Sequence, residues 1–389
     1  MDASVAIVGP DDARASQLAF AAANSDHLRW LLLGSVGCLY LPLVFMGPGS
    51  DPDSIRELRS GAILLWEHRY VLSRPPGYFP YEALCGLLYF LGGMVATNCA
   101  TVAMSLLLLD SFLGVCERLV VPHRHLMAAA MAIHPIYWAA STSTIDFIWA
   151  LGCFFVGFRL LLNHRHFGAA AMLGLSVGIR LSSVLMVAPL LISGIIERPR
   201  DARVWMTAAL ASAIGVALYL PEFIASGNSF AFLTYYIGEW TWSGHIARFL
   251  YKNVYFWGLP TTLFLCAAAP ALIRALAAAE RRFRATIIMS LAILFGFEAL
   301  FLKIPVQRAY LLPMLPFALI LLALATRDRP RLLMAITLLV FSYNFVSLNI
   351  ARADIPDHAT RAIIGPFIER GSLLSDVAAR LNFARATNF

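Results

Sequence analysis

The chain has 389 residues, 60% of them hydrophobic and 14% charged, and its mean hydropathy is +0.72. Soluble domains carry about 25% charged residues and roughly half apolar ones, so a soluble globule is excluded. The formal charge of +7 does not point to nucleic acid, because the arginines sit in short connections between apolar runs, where they report topology.

Residues 1–28 are polar and acidic, and the apolar run behind them has no small-residue cleavage site, so they read as a cytoplasmic tail before a retained helix. Apolar runs follow near 29–47, 83–116, 125–141, 146–162, 167–197, 204–221, 253–273, 285–302, 309–326 and 331–349. In hydrocarbon every backbone group needs an internal partner, so these runs must be helices. The fold class is all-α, a polytopic membrane protein of about eleven transmembrane helices with additional helices on its outer face. The run 83–116 is interrupted by Gly92-Gly93 and Thr97-Asn98, which suggests a short embedded helix before one full span. The run 167–197 carries Arg180 at its centre and reads as two short helices meeting near the outer face.

The clusters Arg118/Arg124, Arg159/Arg165, Arg198/Arg200/Arg203, Arg274/Arg281/Arg282/Arg284 and Arg327/Arg329/Arg331 share one side, which the positive-inside rule makes cytoplasmic. Residues 29–349 then form the membrane domain. Residues 48–82 and 222–252 are long outer loops, and 350–389 form a short amphipathic tail on the outer face. Loops of such length are functional or disordered, and the aromatics of the second, Tyr235, Tyr236, Trp240, Trp242 and Tyr251, argue against disorder. The six cysteines contain no CxxC and no metal-ligand spacing.

Five segments carry a resemblance. GSDPDSIRELRSGAILLWEHRY opens the first outer loop, SRPPGYFPYE enters the next helix, and HPIYWAASTSTID forms an outer turn ending on Asp146. GLSVGIRLSSVLMVAPL is a glycine-rich broken helix around Arg180, and VQRAYLLPMLP is a late Arg-Tyr-Leu-Pro step. In this order and on one side of the membrane, over roughly residues 29–326, they resemble the GT-C superfamily of membrane glycosyltransferases. That resemblance implies inverting transfer of a monosaccharide from a polyprenyl-phosphate donor to a lipid, glycan or protein acceptor. The bilayer would be that of a bacterial inner membrane, with the site facing the periplasm. No cofactor is firmly implied, and a divalent cation is compatible with the resemblance.

Such a transfer needs a carboxylate to take the acceptor's hydroxyl proton and cations to hold a phosphate whose charge grows as the glycosidic bond breaks. The resemblance favours Asp51 as the base, with Asp53 second, and the competing role for each is capping the helix that begins near Ser54. Arg180 and Arg308 are the candidates for donor phosphate, joined by Lys303, one of two lysines in the chain, and by Arg74. Arg180 has an alternative role as structural partner of Asp146 or Glu298, and Arg308 and Lys303 as interfacial anchors. Asp146 would order the acceptor or a metal, or cap the helix 146–162. Tyr78, Tyr310 and Trp240 are candidates to stack on sugar, although interfacial Tyr and Trp are also ordinary membrane-belt residues. A transporter or flippase for lipid-linked substrates, a polysaccharide polymerase or ligase, and a non-catalytic assembly subunit are the other readings. Inverted repeats and midplane charges, the marks of transporters, are not seen.

Overall fold

A computed structural model describes residues 26–49, 51–233, 242–351 and 364–387. By length and composition, six helices among the described residues can cross a membrane: Asp26–Phe45 (α1), Phe79–Arg118 (α3), Ala202–Ala225, Leu259–Ala277 (α12), Arg281–Lys303 and Arg308–Ala325. A seventh span is the pair Pro135–Ser141 (α5) and Asp146–Leu162 (α6), bent by 98°. Shorter apolar helices cover His166–Ile179 (α7), Leu181–Glu197, whose α-helical part is Val184–Glu197 (α8), and Pro330–Ser342 (α15). Between these lie Pro52–Glu67 (α2), Arg124–Ala132 (α4) and Trp242–Trp257 (α11), while Ala202–Ala217 (α9), Leu220–Ala225 (α10), Arg284–Lys303 (α13) and Leu315–Ala325 (α14) are the α-helical parts of the spans already named.

The interruptions in the sequence map onto breaks, with one exception. Gly92-Gly93 kinks α3, and Gly93 adopts φ +62 and ψ −154, a region closed to other residues. Thr97 and Asn98 lie instead inside the helix, where their polar groups bond to neighbours: Asn98 Nδ2 donates to the carbonyls of Val44 and Gly47 at 2.9 and 2.7 Å, which ties the end of α1 to α3. The run 125–141 is broken at His134-Pro135, since Pro135 cannot donate to the preceding turn. The run 167–197 is two helices that meet at Arg180, which is extended at φ −152 and ψ 113.

The helices α3, α6, α7 and α9 pack side by side. Gly174 and Gly178, four apart on α7, lie against Ile214 and Leu218 of the α9 segment, a small-residue seam that lets helices approach closely in lipid. The helix α14 is apolar all round and buried along its length, as a central helix must be. Arg29 and Arg159 each donate to a different oxygen of Asp110 at 2.6 Å, joining α1, α3 and α6. On the outer face, α2 packs on α3 almost backbone to backbone. A methyl group on Gly61 would meet the Glu82 carbonyl at 2.3 Å and the Gly86 nitrogen at 2.5 Å.

The tail differs from the expected amphipathic helix. The last apolar run ends its helix at Ser342, and Val346–Ala351 (β1) pairs antiparallel with Ile364–Arg370 (β2), in the register Val346↔Arg370 and Leu348↔Ile368. A helix, Ser372–Thr387 (α16), then returns to the membrane domain and packs against α5. Arg380 on α16 is fully buried and explains the docking. Its Nη1 donates to the Thr142 carbonyl at 2.8 Å, its Nη2 to Ser143 Oγ at 2.6 Å and to the Ala139 carbonyl at 3.2 Å, and its Nε to Asp376 at 2.8 Å.

Candidate active site

The helix α2 begins as its sequence dictates. Asp51 is the N-cap: its backbone is extended, Pro52 occupies the first helical position, and its Oδ1 accepts from the Asp53 N–H at 3.0 Å. Capping uses one carboxylate oxygen of Asp51. Burial pushes its carboxyl above the usual aspartate range, against the lowering effect of the Asp53 N–H bond. Asp53, in the first turn, is turned inward and lies 2.6 Å from Arg74 Nη1 as an ion pair. Gln307 also donates to Asp53, at 3.3 Å.

Arg74 is the hub of a buried charge chain. It comes from the loop between α2 and α3 and donates to Asp146 Oδ1 at 3.1 Å and to the Tyr78 hydroxyl at 3.3 Å. Glu57, one turn after Asp53 on the same face, stands 3.1 Å from it as an ion pair. Neither Glu57 oxygen accepts a hydrogen bond among the described residues, and its side chain is fully buried. Burial holds its carboxyl well above the usual glutamate range; Arg74 opposes this and the carboxylates of Asp146, Glu82 and Asp53 reinforce it.

Asp146 opens α6 from an extended Ile145 and is fully buried. Its second oxygen accepts from Arg180 Nη1 at 2.5 Å. With each oxygen held by a different guanidinium, Asp146 does not fit a metal ligand. Among the described residues no three His, Cys, Asp or Glu side chains come together as a metal site. Arg180 lies flat against Phe147, its guanidinium carbon 3.7 Å from the ring centroid, with Tyr310 at 5.1 Å and Tyr78 at 5.7 Å. Tyr78 and Tyr310 thus pack on an arginine.

A cavity of about 490 Å³ opens beside this chain, within the range of small-molecule sites. Asp51 and Phe147 form part of its wall, Lys252 and Arg308 bring positive charge, and Ser372 and Asp376 enter from α16. Arg308 Nη2 donates to Ser372 Oγ at 3.1 Å, and its guanidinium lies 4.3 Å from the Tyr255 ring centroid. Its Nη1 is buried without a hydrogen-bond partner among the described residues. Lys252 Nζ donates to the Val306 carbonyl. A second cavity of about 580 Å³, between Tyr70, Phe79, Leu218, Leu220 and Ile224, is almost wholly apolar.

Of the residues singled out from sequence, Asp51 and Arg308 line the polar cavity together. Arg74, Asp53, Asp146 and Arg180 form the buried chain behind it, with Arg180 separated from the cavity by Phe147, which lines it. Arg180 does not snorkel: a fully buried carboxylate within reach is a better partner for a guanidinium than the distant surface. Lys303 ends α13 on the exposed surface, away from the cavity, and Trp240 lies outside the described residues. Sequence reasoning missed Lys252, Glu57 and the polar face of α16. Lys252 carried a signal, being the chain's other lysine and set in an aromatic helix.

No protein-family profile matches the chain, and no curated protein does. Among solved structures it is similar to ArnT from Cupriavidus metallidurans, a GT-C family glycosyltransferase, in its apo crystal structure at TM-score 0.55 and 18% identity. It is similar also to that protein bound to undecaprenyl phosphate, at TM-score 0.54 and 18% identity. The fold is similar to that of ArnT. The matches cover 81% and 79% of this chain, which spans 63% and 61% of the length of those two. The GT-C likeness is one of fold. What the cavity does follows from its own residues.

Proposed function

We propose that the chain is a membrane glycosyltransferase that moves a monosaccharide from a polyprenyl-phosphate donor to an acceptor hydroxyl outside the cytoplasm. The observation that carries this reading is the shared cavity: Asp51 stands in one wall, and Arg308 and Lys252 in another. The fold and the undecaprenyl phosphate held by ArnT support it.

In this reading the Asp51 carboxylate takes the proton of the acceptor hydroxyl as the oxygen attacks the anomeric carbon from the face opposite the phosphate. The carbon–phosphate-oxygen bond breaks with inversion, its electron pair stays on the phosphate, and polyprenyl phosphate leaves. Arg308 and Lys252 meet the charge that grows there, and a phosphate needs no protonation to depart. Arg308 suits the task because its buried Nη1 makes no hydrogen bond among the described residues. The acceptor is a lipid, a glycan or a protein, and the site faces the periplasm of a bacterial inner membrane.

The test is transfer by purified protein in lipid nanodiscs, supplied with a panel of undecaprenyl-phosphate pentoses and hexoses and an envelope extract as acceptor. Product from the wild type and none from Asp51→Asn supports the assignment. Donor translocation across a vesicle membrane that survives Asp51→Asn, with no product, would make the protein a flippase.

A further inference from the structure

The helix α16 contributes a specific face to the cavity. Ser372, Ser375, Asp376 and Ala379 line it, positions spaced by three and four residues and therefore on one side of a helix. That side is polar and small, and beside it the helix packs Leu373 and Val377 against the hydrophobic core. It is also fixed in place. Ser372 accepts from Arg308, Ser375 Oγ donates to the Arg370 carbonyl at 3.2 Å, and Asp376 Oδ2 accepts from the fully buried Arg380. Beside that packing, the helix delivers two hydroxyls and an oriented carboxylate to a cavity that already holds two cations.

Resting on the transferase reading, the geometry points to α16 as the wall that recognises the hydroxyls of the transferred sugar. The sugar is joined directly to the phosphate, so it must lie one bond beyond the group that Arg308 holds. Ser372 is bonded to Arg308 itself, and Asp376 stands one turn further along, about 6 Å at 1.5 Å per residue. That is the reach of one sugar ring. A carboxylate accepts from sugar hydroxyls and hydroxyls both donate and accept, so this face matches the ring's chemistry. Arg380 is a positioning residue, which holds the Asp376 carboxylate and anchors the helix to residues 139–143.

The test compares the affinity of nanodisc-embedded protein for undecaprenyl phosphate alone and for the undecaprenyl-phosphate sugar that it transfers best. Asp376→Asn is expected to weaken the sugar-bearing lipid at least tenfold and the bare lipid less than twofold. Ser375→Ala, which removes a half-exposed hydroxyl and leaves Arg380 paired, should show a smaller loss with the same selectivity. Equal loss for both lipids, or no loss for either, in a folded Ser375→Ala and Asp376→Asn pair overturns the assignment while leaving the transferase reading intact. A wild type that binds neither lipid overturns both.

Discussion

Arg180 donates to Asp146 at 2.5 Å from behind the Phe147 ring, so the arginine that breaks the α7–α8 segment faces a buried carboxylate. This pair joins α6 to the α7–α8 break, and through Arg74 it reaches Asp53 on the surface helix α2. Removing one partner leaves the other charge buried. Asp146→Asn is expected to cost about 3–5 kcal/mol, and the double variant Asp146→Asn with Arg180→Gln should cost clearly less than the sum of the two. Apparent melting temperatures of the four proteins decide this. Additivity within about 0.5 kcal/mol would show that the two side chains are energetically independent.

Asp51 and Asp53 should separate cleanly. Asn is as good an N-cap as Asp, so Asp51→Asn is expected to keep the melting temperature and lose transfer by a factor of about 10² to 10⁴, the worth of a general base. Asp53→Asn takes a carboxylate from Arg74 and should lower the melting temperature as well. If Asp51→Asn transferred sugar at the wild-type rate, the base would have to be sought elsewhere.

The pH profile carries a sign. A base must be ionised to accept a proton, so transfer falls as pH drops through its pKa. Burial raises the Asp51 carboxyl, which places the acid limb of kcat/KM above the value of about 3.9 for a free aspartate. An acid limb at or below the ordinary aspartate value would contradict a buried base.

Arg308→Gln is expected to weaken undecaprenyl phosphate binding by roughly ten- to a hundredfold, on the scale of about 1.5–3 kcal/mol for a hydrogen bond to a charged group. Arg308→Lys should recover part of the loss, because a lysine restores the charge without the two-pronged donor geometry. Titration of the lipid into each variant reads the difference directly. Unchanged affinity in Arg308→Gln would leave the cation without a role in donor binding.

Arg380→Met should loosen the tail without touching the cavity's cations. The substitution takes the guanidinium from the Thr142 carbonyl, to which it now donates, and from Asp376. Backbone amides of residues 373–382 should exchange with deuterium at least tenfold faster than in the wild type. Exchange that stays at the wild-type rate would show that the hairpin alone holds α16 in place.

Much of this architecture is legible in the residues. The breaks at Gly92-Gly93, at Pro135 and at Arg180 follow from local chemistry. Donor phosphate, Asp146 and Glu298 were all open partners for Arg180, and sequence could not choose between them because the choice depends on which helix ends meet. The antiparallel hairpin of the tail was hidden for another reason. Its strand residues, from Val346 to Ala351, continue an apolar run already long enough for a span, so hydropathy alone could not mark where the helix stops. Glu57 was overlooked because its surroundings, Arg74 from the loop and Glu82 from α3, come from separate stretches of sequence.

The contact between Gly61 and Gly86 has a consequence for how any substrate must arrive. With no room for even one added carbon between α2 and α3, the carboxylates at the head of α2 ride on a stationary mount. On the proposed transferase reading, a lipid carrying sugar would have to bring its reactive carbon to Asp51 on that mount.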